Sequence, residues 1–266
     1  MMPETRREQI LALVQKNQSA TVAELSERLQ VSQVTVRQDL KRLADEGMLV
    51  RTRGGAVTTD RANREATFYT RDRFNADQKR GIGELAARLV NPRDSIILDA
   101  SSTSLYVARA LMKRQDLHDL TVITNGIYTA LELVNRPDIT TILTGGILRP
   151  SAVSLIGTIV WDSLAKINAM KGFFGAHGIS VEQGLTDVNI QEINVKKAMI
   201  ERCQEVIAVA DSSKFGEVGL ASYAPIECVK RIVTDNCAPP LIEQFRARGV
   251  EVMIAQVRGE NECDDK

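Results

Sequence analysis

The sequence predicts an α/β protein made of a small winged helix-turn-helix and a larger, doubly wound parallel sheet. Two patterns carry this prediction. Three helical repeats of apolar residues precede a Gly-Gly turn near the N-terminus, and short apolar runs alternate with helical segments after it. A length of 266 residues suits two domains. We expect a first domain at residues 1–58, a linker at 59–75, a second domain at 76–256 and an acidic tail at 257–266.

The composition is that of an ordinary globular protein, with 44% apolar and 26% charged residues. Its 34 basic and 34 acidic residues cancel, so the net charge neither indicates nor excludes a nucleic-acid partner. The four cysteines and two histidines are scattered, which predicts no metal site and a reducing compartment. No apolar segment is long enough to span a membrane and the first residues lack a signal-peptide core, so we expect a cytoplasmic protein.

The first half of the N-terminal domain predicts two short helices. Thr5 and Glu8 have the spacing of a capping box, in which two side chains satisfy free backbone N–H groups at a helix start. Thr21 and Glu24 repeat this spacing before the apolar positions of a second helix. We therefore expect one helix to begin at each of these threonines.

A third helix follows, and its polar face is the first candidate functional surface. Ser32 predicts its cap and Gly47 its end. The apolar residues expected on its core-facing side are Val34, Val36, Leu40 and Leu43. The polar residues between them are Gln33, Thr35, Arg37, Gln38 and Lys41. Arg and Gln can make bidentate contacts to base edges in the major groove, whereas Thr and Lys suit phosphates.

The segment after the third helix predicts a β-hairpin wing. Apolar residues flank a turn at Gly54-Gly55, and Arg51 and Arg53 would lie beside a phosphate backbone or in a minor groove. This order of elements predicts that Ser32, the polar helix face and the wing arginines bind double-stranded DNA. The alternative is a small helical domain whose polar face is only solvated, because the local excess of basic residues is slight.

The run "VSQVTVRQDLKRL" at 31–43 and the run "RTRGGA" at 51–56 resemble the N-terminal signature of the DeoR family of bacterial regulators. The resemblance covers the whole segment from residue 6 to residue 57. It implies an operator-binding domain and strengthens the prediction that this segment binds DNA.

The second domain predicts a parallel sheet, because buried apolar runs alternate with helical patterns. The predicted strands lie at 96–98, 120–124, 139–143, 171–175, 206–210, 232–235 and 252–254. Predicted helices lie at 77–89, 105–112, 128–134 and 190–202. In an open sheet of this kind, ligands bind at the carboxyl ends of the strands.

The residues that follow these strands form the second candidate site, which we expect to bind a phosphorylated sugar or polyol. Strand ends supply Asp99, Ser101, Ser102, Thr103, Ser104, Thr124, Asn125, Gly145, Gly146, Arg149, Asp211 and Lys214, and a further cluster supplies Asp187, Glu192 and Lys196. Hydroxyls and backbone N–H groups at a helix start can bind an anion.

Each part of this second site also has a structural interpretation. The serine run can cap a helix, the two glycines can form a tight turn, and Asp211 can pair with Lys214 at the surface. Glu192 and Lys196, four residues apart, can be an ordinary surface ion pair.

The motifs "ILDASSTS", "TNG", "TGGILR", "QEINVKKAM" and "ADSSKFG" resemble successive motifs of the DeoR-family sensor domain. The resemblance implies a fold similar to ribose-5-phosphate isomerase, a phosphorylated sugar effector, and release of the operator when the effector binds. The family's first loop reads Asp-Ser-Gly-Thr-Thr, whereas Ala100 and Ser101 occupy its second and third places here. Because glycine permits close backbone approach to a phosphate, this departure bears on the effector's identity.

The sequence therefore predicts a ligand-responsive repressor of carbohydrate use that acts as a homodimer or homotetramer, without cofactor or catalytic residues. One alternative is a sugar-phosphate isomerase carrying a DNA-binding head, for which Asp99, Asp187 or Glu192 would be the base. A structural DNA-packaging protein fits poorly, since the chain lacks a strong basic excess.

Overall fold

The computed structural model describes residues 2–17, 19–45, 48–52, 54–57 and 67–257. Gly47, Arg53, Thr58, residues 59–66 of the predicted linker and residues 258–266 of the predicted tail lie outside these ranges. The chain divides into two compact units, Met1–Phe74 and Asn75–Lys266, each of which is described by itself.

The N-terminal unit is a three-helix domain with a small antiparallel sheet. Its elements are α1 (Pro3–Asn17), β1 (Ser19–Thr21), α2 (Val22–Leu29), α3 (Gln33–Asp45), β2 (Val50–Arg51), β3 (Gly55–Val57) and α4 (Phe68–Arg73). Strands β2 and β3 form the wing hairpin, as predicted, and β1 adds a third strand in the order β1-β3-β2. The sequence analysis predicted neither β1 nor α4.

Of the three predicted helix starts in this unit, two are confirmed and one is wrong. Thr21 accepts from the Glu24 backbone N–H at 3.2 Å while Glu24 accepts from the Thr21 backbone N–H at 2.8 Å, which is a complete capping box. Ser32 Oγ accepts from the Thr35 backbone N–H at 3.1 Å at the start of α3. Helix α1 instead begins at Pro3, whose fixed φ suits a first helical position, so Thr5 lies inside the helix.

The core of this unit packs α1, α2 and α3 against the wing, and it holds α3 in place. Val36, Leu40 and Leu43 are buried in this core. Arg6 on α1 makes a bidentate ion pair with the buried Asp39 of α3, at 2.6 and 3.2 Å. Val34, predicted on the same apolar side, is 61% exposed instead. It lies two residues from Val36, a rotation of about 200° around a helix, so the two cannot share a face.

The C-terminal unit contains a seven-stranded parallel sheet. The strands are β4 (Ser95–Leu98), β5 (Leu120–Thr124), β6 (Ile139–Leu143), β9 (Ala169–Phe174), β12 (Cys203–Val209), β14 (Arg231–Thr234) and β15 (Glu251–Ile254). The helices are α5 (Ala76–Ala87), α6 (Ser102–Met112), α7 (Ile127–Leu133), α8 (Thr158–Leu164), α9 (Ile190–Ile200) and α10 (Pro239–Ala247).

The sheet is doubly wound, as predicted. From β4 the chain adds β5 and β6 toward one edge, and from β9 it adds β12, β14 and β15 toward the other. Alternate strand residues enter two separate cores, since Ile97 packs with α8, α9 and α10 while Ile96 packs with α5, α6 and α7. The winding direction therefore reverses between β4 and β9, the position where ligands bind in open α/β sheets.

Two smaller sheets were not predicted. Strands β10 (Gly178–Ser180), β11 (Gly184–Asp187) and β13 (Ala221–Ala224) form an antiparallel sheet in that order. Strands β7 (Ile147–Arg149) and β8 (Ser154–Ile156) form an antiparallel hairpin between β6 and α8.

Candidate functional sites

The polar face of α3 is the candidate DNA-reading surface. Arg37, Gln38 and Lys41 are exposed at helical spacing, on the side opposite the buried residues of α3. The Gln33 side-chain oxygen accepts a hydrogen bond from Arg37 Nη2 at 3.1 Å, which orients the guanidinium. Val34 is exposed within this polar face, and it is the residue there that the sequence analysis did not propose.

The remaining predicted DNA contacts divide between the start of α3 and the wing. The hydroxyls of Ser32 and Thr35 lie 2.9 Å apart in the helix cap, so part of their hydrogen-bonding capacity is used within the protein. Arg51 is exposed on β2 of the wing, and Arg53 lies outside the described residues.

In the C-terminal unit, Asp99 lies at the point where the sheet's winding reverses. Its side chain is fully buried after β4. One carboxylate oxygen accepts from the Ser101 backbone N–H at 3.1 Å and from Ser104 Oγ at 2.5 Å. The other accepts from the backbone N–H of Gly175 at 3.1 Å, just after β9. Asp99 thus joins the ends of the two strands that flank the switch point.

The serine run after Asp99 caps α6, in agreement with the structural interpretation of that run. Ser101 Oγ accepts from the Ser104 backbone N–H at 3.1 Å and donates to Ser104 Oγ at 3.0 Å. Ser102 and Thr103 are buried in the first turn of the helix. The cap therefore uses the hydroxyls of Ser101 and Ser104.

Lys196 on α9 is buried among four residues from other parts of the C-terminal unit. Its Nζ lies 2.7 Å from Asp187 Oδ2, 3.2 Å from Asp99 Oδ2 and 2.7 Å from the Gly175 carbonyl oxygen. It also lies 4.9 Å from the centre of the Tyr223 ring, whose hydroxyl donates to the same carbonyl. Burial by itself would lower the pKa of Lys196. The negative charges of Asp187 and Asp99 outweigh this effect and raise the pKa well above the usual lysine value.

Glu192, one turn before Lys196 on α9, forms a second buried group. Its carboxylate accepts a short hydrogen bond from Ser154 of β8 and lies 3.5 Å from the Arg149 guanidinium of β7. Burial raises the pKa of Glu192, while Ser154, Lys196 and Arg149 oppose that shift. Glu192 and Lys196 are each only 6% exposed, so the interpretation as a surface ion pair was wrong.

The ends of β5 and β6 lie next to each other and hold further polar groups. Thr124 Oγ1 accepts from the Gly126 backbone N–H at 3.0 Å, and Asn125 Nδ2 donates to the Leu155 carbonyl at 3.0 Å. Among the described buried side chains, Asn125 Oδ1 and Thr144 Oγ1 have no hydrogen-bond partner. An unpaired buried polar atom is costly, so these two mark a place where a ligand hydroxyl or water would bind favourably.

The two glycines that follow Thr144 have a packing role. An added Cβ at Gly145 would lie 2.7 Å from Ile159 Cγ2, and one at Gly146 would lie 2.8 Å from the Ile156 carbonyl oxygen. Gly146 also has a φ of +140°, which side chains other than glycine disfavour. These contacts give both glycines a structural role, although the chain forms no turn at residues 144–146.

Asp211 and Lys214 lie at the end of β12. Asp211 is buried, and its carboxylate accepts from Asn75 Nδ2 at 2.8 Å and from the Ser213 backbone N–H at 3.2 Å. Lys214 is half-buried at the end of the short helical turn that Asp211 caps.

Four residues of this network are not among those predicted from the sequence. Gly175 and Tyr223 contact Lys196, Ser154 holds Glu192, and Thr144 presents an unpaired hydroxyl. Thr144 directly follows a predicted strand and Gly175 is the last residue of another, so the expectation that ligands bind at the carboxyl ends of the strands could have identified both. Ser154 and Tyr223 lie in strands of the two smaller sheets, for which no pattern was found.

The described residues show neither a metal site nor a membrane span. In the described ranges, no group of three or more His, Cys, Asp or Glu side chains is arranged to hold a metal ion. No described helix combines the length and apolar character needed to cross a membrane.

Comparison with known proteins identifies both units. Residues 6–62 match the model of the DeoR-like helix-turn-helix domain, and residues 74–236 match that of the DeoR C-terminal sensor domain. The chain is 38% identical over 96% of its length to the HTH-type transcriptional regulator GolR of Listeria innocua, all of which is covered. It is 32% identical over 96% of its length to the HTH-type transcriptional repressor GlcR of Bacillus subtilis, of which 98% is covered.

Among solved structures, the chain is similar to ribose 5-phosphate isomerase A from Neisseria gonorrhoeae, with a TM-score of 0.40 and 16% identity over 56% of this chain and 55% of that one. The two relatives in sequence are named as transcriptional regulators, in agreement with the prediction of a regulator rather than an enzyme. The chain therefore belongs to the DeoR family of helix-turn-helix transcriptional regulators.

Proposed function

We propose that this regulator represses a carbohydrate-utilisation operon in the cytoplasm and leaves its operator when a phosphorylated sugar or related metabolite binds the C-terminal unit. The observation that carries the proposal is the buried polar network at the switch point of the sheet. Asp99, Asp187 and Lys196 meet there, with unpaired oxygens of Asn125 and Thr144 at the neighbouring strand ends. The repressor name of the Bacillus subtilis relative supports the sign of regulation.

The charges in this network favour hydroxyl groups over a phosphate. It contains three carboxylates, those of Asp99, Asp187 and Glu192, and its two cations, Lys196 and Arg149, both contact carboxylates. We propose that the sugar hydroxyls bind here and that the phosphate binds at the start of α6, near Ser102 and Thr103, with Lys214 as a further cation.

For the N-terminal unit, we propose that α3 enters the major groove while Arg51 and Arg53 of the wing contact the DNA backbone or minor groove. The helix contacts to DNA come from Ser32, Gln33, Thr35, Arg37, Gln38 and Lys41.

Helix-turn-helix proteins read two half-sites about one helical turn apart, so we propose a homodimer or homotetramer. In this proposal residues 1–58 bind DNA, 59–75 link the domains, and 76–256 bind the effector.

The direct experiment measures binding of the full chain to DNA upstream of its own gene at several salt concentrations, with and without a panel of sugar phosphates and the free sugars. We expect tight, salt-sensitive and sequence-selective binding that one phosphorylated compound releases. The Lys214→Met variant should lose the preference for the phosphorylated compound over its free sugar, whereas Lys197→Met, an exposed change on α9, should retain it. Selective binding that no compound alters would contradict the effector part, and the absence of selective binding would contradict the whole proposal.

A further inference from the structure

Val34 is an exposed apolar residue on the polar face of α3. It is the second residue of α3 and is 61% exposed. With Arg37, Gln38 and Lys41 it forms one stripe of exposed residues at positions i, i+3, i+4 and i+7. Valine is also a weaker helix former than alanine, so neither core packing nor helix propensity accounts for it at this position.

We propose that Val34 is a specificity-determining residue that contacts the 5-methyl group of a thymine in each operator half-site. The residues at the start of a recognition helix are those that reach base edges. In the major groove, the thymine methyl is the apolar feature that such a side chain can contact, while the other groups of the base edges are hydrogen-bond donors and acceptors. An exposed valine among polar side chains matches this one feature.

The surroundings of Val34 hold it in a fixed place on the helix. Val36 and Leu40, on the core-facing side of α3, are fully buried. The Arg6–Asp39 ion pair connects α3 to α1. Arg37, one turn further along the stripe, is oriented by its hydrogen bond from Nη2 to Gln33 Oε1. Val34 and Arg37 therefore present a methyl-binding group and a guanine-binding group side by side, and they should read neighbouring base pairs.

The test replaces thymine by deoxyuridine, which removes only the methyl group. The operator is first selected from randomised duplexes with the full chain, and each thymine in it is then replaced singly. We expect the wild-type protein to lose about three- to fivefold in affinity at one position per half-site, the size expected for one buried methyl group. Val34→Ala should bind the thymine operator more weakly and show no response to the replacement at that position.

Two control variants separate this contact from general weakening. Lys41→Ala should lower affinity on all duplexes and retain the full thymine preference, because a phosphate contact does not read sequence. Val34→Ala should unfold at the same temperature as the wild type or higher, since alanine is the better helix former.

Two results would overturn the proposal. One is that no thymine in the selected operator loses affinity on replacement for the wild-type protein. The other is that Val34→Ala and the wild type respond equally to every replacement, in which case Val34 contacts no thymine methyl.

Discussion

Lys196 is the cation that two carboxylates of the sensor network share. Its ammonium group lies between Asp99 and Asp187, with the Tyr223 ring against it. Its raised pKa means that its stabilising charge is fully present below the ordinary lysine value of about 10.4 and is lost only above the folded-state value. We therefore expect this contribution to stay constant from pH 5 to pH 9.

Replacing Lys196 by Met should lower the free energy of unfolding by about 3–5 kcal/mol at pH 7, because the buried carboxylate of Asp99 and the half-buried carboxylate of Asp187 lose their cation. The loss should be the same at pH 5 and at pH 9, because the charge on Lys196 is fully present throughout this range. Urea unfolding at pH 5, pH 7 and pH 9 measures the effect. Lys197→Met, an exposed neighbour on α9, is the matched control and should change stability little. Equal stability of the two variants at pH 7 would contradict the role given to Lys196.

Thr124 and Thr144 give a matched pair of threonines at neighbouring strand ends. Thr124 Oγ1 accepts from the Gly126 backbone N–H, whereas Thr144 Oγ1 is buried without a partner. Thr124→Val should cost about 1–3 kcal/mol of stability by leaving that N–H unpaired, whereas Thr144→Val should cost nothing or stabilise.

If Thr144 binds the effector, Thr144→Val should also weaken release of DNA by the compound that the binding assay identifies. Thermal unfolding and DNA release measured on the same two variants separate the structural role from the binding role. Equal stability losses in both variants would show that Thr144 has a partner in the folded protein.

At the scale of elements, the junction of β4 and β9 depends on the contact between Gly175 and Ser101. An added Cβ at Gly175 would lie 2.4 Å from Ser101 Oγ, so Gly175→Ala should destabilise the protein by about 1–3 kcal/mol. Removing the opposing side chain in the Ser101→Gly, Gly175→Ala double variant should restore most of the loss. A double-mutant cycle by urea unfolding measures this coupling, and additive effects would contradict the contact.

At the scale of the whole molecule, the proposed oligomer needs a surface on each chain. Strand β6 ends the sheet at one edge, and Ile142, Ile147 and Ile159 near this edge are 39%, 66% and 53% exposed. Ile159 lies beside Gly145 just after β6, and Ile147 lies beside Gly157 just before α8, so these side chains share one region. Open sheet edges with apolar neighbours are sites of pairing between chains.

We expect the Ile147→Lys, Ile159→Lys double variant to sediment as a smaller species than the wild type, because two charges cannot be buried in an apolar interface. Leu131→Lys, which changes a residue that is 58% exposed on α7 across the sheet, is the control and should leave the oligomer intact. An unchanged sedimentation coefficient for the double variant would place the interface elsewhere.

The features of the fold that depend on local contacts could be predicted from the sequence. Apolar periodicity located the strands of the parallel sheet, and short-range capping signals located the starts of α2 and α3. A capping signal is misleading where the same residue spacing also fits the interior of a helix. This is the case at Thr5 and Glu8, which have capping-box spacing but lie inside α1.

Which polar residues meet, and what each of them does, depends on contacts between distant parts of the chain. Asp99 and Gly175, 76 residues apart, come together because the sheet's winding reverses between their strands. Lys196 and Glu192 share one helix yet pair with different partners, because β11 and the β7–β8 hairpin approach that helix at different places. The spacing of residues in the sequence shows which of them are neighbours on one helix or strand. Burial and ion pairing depend instead on which other elements of the fold pack against that helix or strand.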